Sequence, residues 1–348
     1  RRGAEGADDF VALLKGQPAS TVGAALTAAS PSELFGLAVI RRAIQQLGAV
    51  AEPALAALLP AVLEAVGSKT PAVARAASAV ADALLEGLCP ASLPQLLPAL
   101  FAAADDAAAW QTREKAYQLL SARAAAVPRI VGALLPALVP ELSKHLCDTK
   151  RAVQEAARSA MRACFAAVDN LDVAPVIDAL VSCMVNPGET VEFVHRVAAT
   201  TFVRSVTAST LAVLVPTLLK GLNERQAAVK RQTAKIINNM SKLVDDARDA
   251  APFLPLLLPA LEKASETVAN PEAREVCTKA KEQLESLVQK CVALADKPLS
   301  LDHSVVVALV NKDGRITDAA SLDYIARVVA ALIEMKTYEE EDWYSVLI

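Results

Sequence analysis

The sequence predicts an all-α stack of helical hairpins, and three observations lead there. A Leu-Leu-Pro-Ala-Leu pentad and its relatives recur along the chain. One proline per copy gives Pro60, Pro98, Pro136, Pro175, Pro216 and Pro255, separated by 38, 38, 39, 41 and 39 residues. The composition is 54% apolar but only 4% aromatic, so packing rests on Ala, Leu and Val, the first two among the strongest helix formers. Between the prolines the apolar positions trace helical stripes: Val73, Ala76, Ala77, Val80 and Leu84 stand at i, i+3, i+4, i+7 and i+11. Such a period lies close to the roughly 40–47 residues of HEAT helix-pair repeats. Each pair exposes an apolar flank that only a neighbour can cover, so the pairs stack into an α-solenoid. The expectation is a HEAT-repeat α-solenoid of about six to seven helix pairs, followed by part of a helical bundle.

The elements follow in order. Residues 1–52 read as a degenerate N-terminal repeat: a frayed start over 1–9, then helices over Phe10–Lys15 and Glu33–Leu47, with Ser30 or Ser32 as a cap for the second. Residues 53–295 form the regular array. Each unit there has a first helix carrying the proline and a second helix, beginning at Thr70-Pro71 and near Gln111, Thr149, Thr190, Glu224 and Pro271. Pro71 suits a first helical turn, where its missing N–H is not needed. Pro98 after Pro94, and Pro259 after Pro255, should start or bend their helices. Ala76, Ala116, Ala156, Ala198 and Ala234 recur on the second helices and predict close helix approach. At Asp296-Lys297-Pro298 the period fails, and residues 296–348 read as the start of a four-helix bundle, with helices over Leu301–Val310, Ala319–Met335 and Glu340–Leu347 and a loop at Asn311–Gly314.

Composition excludes several classes. No apolar run reaches the ~18 residues of a membrane span. The six cysteines have no CxxC pair or disulfide-framework spacing, so buried free thiols in a reducing cytoplasm are expected. The chain starts Arg1-Arg2-Gly3 without an initiator Met and stops inside an apolar stretch, as a segment of a longer protein would. No phosphate loop, dinucleotide turn or nucleophile elbow is present. His145, His195 and His303 lack metal-ligand spacing. Asn239-Met240-Ser241 is a formal glycosylation sequon, read as incidental inside a helix, and the acidic run 339–342 reads as a helix start. No catalysis, cofactor, metal or small-molecule substrate is expected in this chain.

Charge is more informative. The net charge is −4, yet Lys220, Arg225, Lys230, Arg231, Lys235 and Lys242 face only Glu224 within the 220–242 segment. Arg231, Lys235, Asn238 and Lys242 are spaced 4, 3 and 4, so they share a helix face opposite Val229, Thr233, Ile236, Met240 and Leu243. Arg158 and Arg162 form a second i, i+4 pair. Such a face is either simply solvated or a phosphate-contacting surface. Without interleaved aromatics, nucleic acid would be held by its backbone rather than by base stacking.

Specific residues then point to a family. Trp110-Gln111-Thr112-Arg113-Glu114-Lys115, Asp148-Thr149-Lys150, Val168-Asp169-Asn170, Ala199-Thr200-Thr201-Phe202-Val203, Gly221-Leu222-Asn223-Glu224-Arg225 with Lys230-Arg231, Ala251-Pro252-Phe253-Leu254 and Pro271-Glu272-Ala273-Arg274-Glu275-Val276 resemble the translation elongation factor 3 family. The resemblance covers about residues 110–280 and resumes at Tyr324-Ile325-Ala326, Leu332-Ile333 and Trp343. It implies a monomeric, cytoplasmic array that docks on ribosomal RNA and proteins, with the basic residues above as contacts. It also implies that ATP is bound only by two ABC-type modules outside this chain, in a factor that assists translocation and exit-site tRNA release. Arg196 and Arg204 depart from the family pattern. A ribosome-associated HEAT scaffold of the starvation-kinase activator type, or a general protein-binding HEAT adaptor, fits the repeats as well.

Overall fold

The computed structural model describes residues 2–144, 146–294 and 318–334. Among them lie seventeen α-helices and no strand, the all-α solenoid of helix pairs expected from the period. In chain order they are α1 Arg2–Leu14, α2 Ala19–Ala28, α3 Leu34–Gln46, α4 Glu52–Val66, α5 Pro71–Gly87, α6 Leu93–Ala104, α7 Trp110–Ala126, α8 Pro128–Lys144 and α9 Arg151–Phe165. These are followed by α10 Ile177–Val185, α11 Thr190–Ala199, α12 Ala208–Asn223, α13 Ala227–Lys242, α14 Ala247–Ala250, α15 Leu254–Thr267, α16 Pro271–Leu294 and α17 Ala319–Glu334. The helices fall into two compact units, one of residues 1–130, 148–160 and 300–348, the other of residues 131–147 and 161–299.

In the first unit α2, α4 and α6 pack side by side as one row, and α3, α5 and α7 as a second. α5 shows why. Thr70 ends the extended approach, Pro71 occupies the first turn, and Val73, Ala77, Val80, Ala81, Leu84 and Leu85 bury one stripe. The second unit repeats the scheme, with α10, α12 and α15 in one row and α11, α13 and α16 in the other. The recurrent prolines are tolerated inside helices because of where they point. Pro60, Pro98 and Pro259 are exposed and Pro136 and Pro216 half-buried, so a carbonyl freed one turn back can be hydrated.

Several expectations are corrected. Residues 2–14 form one helix whose Ala7, Val11 and Leu14 are buried and which packs on α3. Residues 19–28 form a helix that the sequence pattern did not reveal. Ser30 and Ser32 bond each other at 2.7 Å, and neither caps α3, whose cap position is Glu33. The recurrent close-packing position is displaced in three repeats: Ala77, Ala157 and Val197 are fully buried beside Ala116 and Ala234, whereas Ala76 and Ala156 are half-buried and Ala198 exposed. A one-residue step turns a helix by about 100°, an angle that spacing near 40 cannot resolve. Cys164, Cys183 and Cys277 are buried, but Cys147 is exposed. His145, His303, the segments 301–310 and 340–347, the loop 311–314 and the run 339–342 lie outside the described residues. No single described helix is long and apolar enough to cross a membrane.

Candidate functional site

The basic segment folds as the α12–α13 hairpin. Gly221 permits it: a Cβ there would lie 2.5 Å from Thr233 Oγ1 and 3.1 Å from Val194 Cγ2, so the last turn of α12 approaches α13 at side-chain-free distance. α13 then buries Val229, Thr233, Ile236 and Met240. Lys235, Asn239 and Lys242 are exposed on the other side, and Arg225 is exposed just before the helix. Lys220, Lys230, Arg231 and Asn238 are half-buried. Lys220 and Lys230 lie close enough to Cys183 and Cys277 to oppose the upward push that burial exerts on those thiols.

One member of the stripe is already partnered. The Arg231 guanidinium pairs with Glu272 at the start of α16, one repeat on. The segment's isolation from acidic residues, true of residues 220–242, therefore does not hold in space. Arg225, Lys235 and Lys242 make no ion pair among the described residues. The second set is also modified. Arg162 is exposed but lies 3.4 Å from Asp178, and Arg158 is half-buried with its Nε sealed from solvent and unbonded. Arg196 and Arg204 pair with Glu192 and Asp172 at 3.7 and 4.0 Å. His195 is exposed, and no group of three His, Cys, Asp or Glu residues suited to a metal occurs among the described residues.

The residues that carried the family resemblance have another use. Arg113 reaches from α7 to Asp148, Nε to Oδ2 at 2.8 Å and Nη2 to Oδ1 at 3.1 Å, with both side chains almost wholly buried. Asp148 Oδ1 also accepts the Lys150 N–H at 2.7 Å. Lys115 donates to Asp82 at 2.7 Å. Asn170 donates to the Ser205 carbonyl at 3.0 Å, and Asp169 accepts from Thr207 and Ser209 at 3.1 and 2.8 Å. Asp172 accepts the Val203 and Arg204 N–H groups at 2.8 and 2.9 Å, and those bonds hold its carboxyl below the usual aspartate range. These are ties between successive repeats, and the sequence signal for them is a polar residue answered one period later.

Comparison with known proteins agrees with this framework. Residues 19–161 match the family described as "EF3 N-terminal HEAT repeat", and residues 189–293 match "Elongation factor 3/GNC1 HEAT repeat". Elongation factor 3 of Phytophthora infestans is 35% identical over 83% of this chain and 28% of its own length. Elongation factor 3A of Saccharomyces cerevisiae is 38% identical over 68% of this chain and 23% of its own, and elongation factor 3 of Gonapodya prolifera 36% over 85% and 28%. The chain thus spans between a fifth and a third of these relatives' lengths, and both family matches fall on helical repeats rather than on a catalytic domain. By these matches the chain belongs to the elongation factor 3 family, of which it represents the HEAT-repeat region.

Proposed function

We propose that this chain is the ribosome-docking region of an elongation-factor-3-like translation factor, and that the outer face of α13 contacts ribosomal RNA phosphates. In this reading it positions a longer cytoplasmic ATPase that assists translocation and exit-site tRNA release. Nucleotide would be bound outside the segment, and the array would act as a monomer. The supporting observation is the division of α13 into a buried apolar side and an exposed side where Lys235 and Lys242, with Arg225 at the helix start, project without acidic partners among the described residues. Lys220 and Lys230 are half-buried near Cys183 and Cys277, away from that face, while Arg231 is partly neutralised by Glu272. Arg158 and Arg162 belong to a weaker, secondary patch.

The test is co-sedimentation with ribosomes across a salt series. Phosphate contacts release counterions, so log affinity should fall with log salt at a slope of roughly −0.7 to −0.9 per contact. Changing Arg225, Lys235 and Lys242 to Glu should flatten that slope by about two to three units if all three touch phosphate. Equal binding by the triple variant at every salt concentration would remove α13 from the interface. Binding lost without any change in slope would point to a protein contact instead.

A further inference from the structure

Side-chain ties within the array join residues a repeat apart, as Arg113 to Asp148 and Arg231 to Glu272 do, 35 and 41 positions apart. Among the described residues one bond reaches far beyond a single repeat. The Tyr324 hydroxyl of α17 donates to Glu52 Oε1 at 3.2 Å, across 272 positions. A stack of repeats is held by nearest neighbours, so a segment from beyond the last repeat packing on α4, on the turn at Pro90–Ser92 and on α6 is not a requirement of the stack.

The contact is built. Among the described side chains of α17, Ser321, Tyr324, Val328 and Val329 are buried, while Asp323 and Arg327 pair with each other on its exposed side at 3.0 Å. Glu52, at the start of α4, accepts the Cys89 N–H at 3.3 Å on the same oxygen that takes the Tyr324 hydroxyl. Ser92 is fixed by its bond to the Cys89 carbonyl at 2.7 Å. Arg123 of α7 is buried against the Leu85 and Leu88 carbonyls at 2.6 and 3.1 Å and adds positive charge near Glu52. The groups facing Glu52 are therefore Cys89 from the turn, Arg123 from α7 and Tyr324 from α17.

We infer that α17 is a detachable clasp, latched by Tyr324 on Glu52, which makes the stability of the α4–α6 pair depend on the segment that follows the array. Two of the four side chains buried among its described residues are polar, and it lies outside the nearest-neighbour stack, so it opens before the repeats do. Burial pushes the Glu52 carboxyl upward, opposed by the Cys89 N–H, the Tyr324 hydroxyl and Arg123, which is the mark of a polar junction whose desolvation is only partly compensated. Through the clasp, whatever displaces α17 is felt at α4 and α6.

Hydrogen exchange of the full chain tests this, reading peptides from α17, from the N-terminal halves of α4 and α6, and from α13 and α16. Tyr324→Phe keeps the ring and removes the latch. Exchange in α17 and at the starts of α4 and α6 should rise together, on the order of tenfold, with α13 and α16 unchanged. Val328→Asp should drive α17 off altogether and produce the same joint rise, larger, while the protection of α13 and α16 reports that the chain remains folded. Faster exchange in α17 alone, or no change in Tyr324→Phe, overturns the clasp. A rise spread equally over all the peptides also overturns it, because it marks global destabilisation rather than a local latch.

Discussion

The Arg113–Asp148 tie is the sharpest point at which the stack can be tested. Asp148→Ala removes two charge-assisted bonds of 2.8 and 3.1 Å and the acceptor for the Lys150 N–H, and leaves the guanidinium with the Ala108 and Asp106 carbonyls at 2.7 and 3.3 Å. Those carbonyls satisfy hydrogens but not the charge. Truncating one partner of a buried pair costs roughly 3–5 kcal/mol, a large part of the ~5–15 kcal/mol that typically separates folded from unfolded protein. Arg113→Met should cost less, because the remaining Asp148 carboxylate keeps a backbone donor, Lys150 N–H, and sits at a helix entrance where negative charge is favoured. Combining Arg113→Met with Asp148→Ala removes both charges. The double variant should be more stable than the sum of the single losses predicts, with a coupling of about 1–3 kcal/mol. Urea unfolding followed by far-ultraviolet circular dichroism gives all three values. If Asp148→Ala lies within about 0.5 kcal/mol of the parent, or if the cycle is additive, the tie does not hold α7 to the next repeat.

Gly221→Ala should destabilise by about 1–3 kcal/mol, read from the same urea curves, because its Cβ meets Thr233 and Val194; Gly188→Ala, with nothing near it, serves as the control. Thiol labelling of the native chain should proceed quickly at the exposed Cys147 and hardly at all at Cys164, which burial pushes up to about 12; mass spectrometry of timed samples checks the order. Asp172 has a depressed carboxyl, so its hold on the Val203 and Arg204 amides is complete above the ordinary aspartate pKa of about 3.9 and is lost as pH falls through the lower folded value. Amide protection at 203–204, normalised for intrinsic exchange, should fall over that acidic window, and Asp172→Asn should already lower it at neutral pH.

The repeat and the order of helices were legible because each helix declares itself locally. Pro71 and Pro271 mark first turns, and the i, i+3, i+4 stripes mark the buried sides. What depended on another repeat was not legible. Residues 2–9 and 19–28 have weak local signals, with Gly3 and Gly6 in one and Thr21, Val22 and Gly23 in the other, and they become helical where α3 and α4 offer apolar cover. The same holds for the candidate site. The spacing of Arg231, Lys235 and Lys242 gave the face correctly, but Glu272 stands 41 residues away and enters only through the stacking of α16 on α13.

That stacking also decides which charges are informative about a partner. In a linear array a charged side chain can be answered by its own helix, by the next repeat, or by something outside the chain. The period itself separates the last two. Asp82 and Lys115, Arg113 and Asp148, and Arg231 and Glu272 stand 33, 35 and 41 residues apart, near one repeat, and these pairs hold the stack together. Arg225, Lys235 and Lys242 have no such answer among the described residues. Reversing Arg231 would therefore confound two effects, since it breaks the tie to α16 while altering the outer charge. Reversing Lys235 and Lys242 alters the outer charge alone. Stability unchanged to within about 0.5 kcal/mol, combined with weaker and less salt-sensitive ribosome binding, is the combination that an internal role for these lysines could not produce.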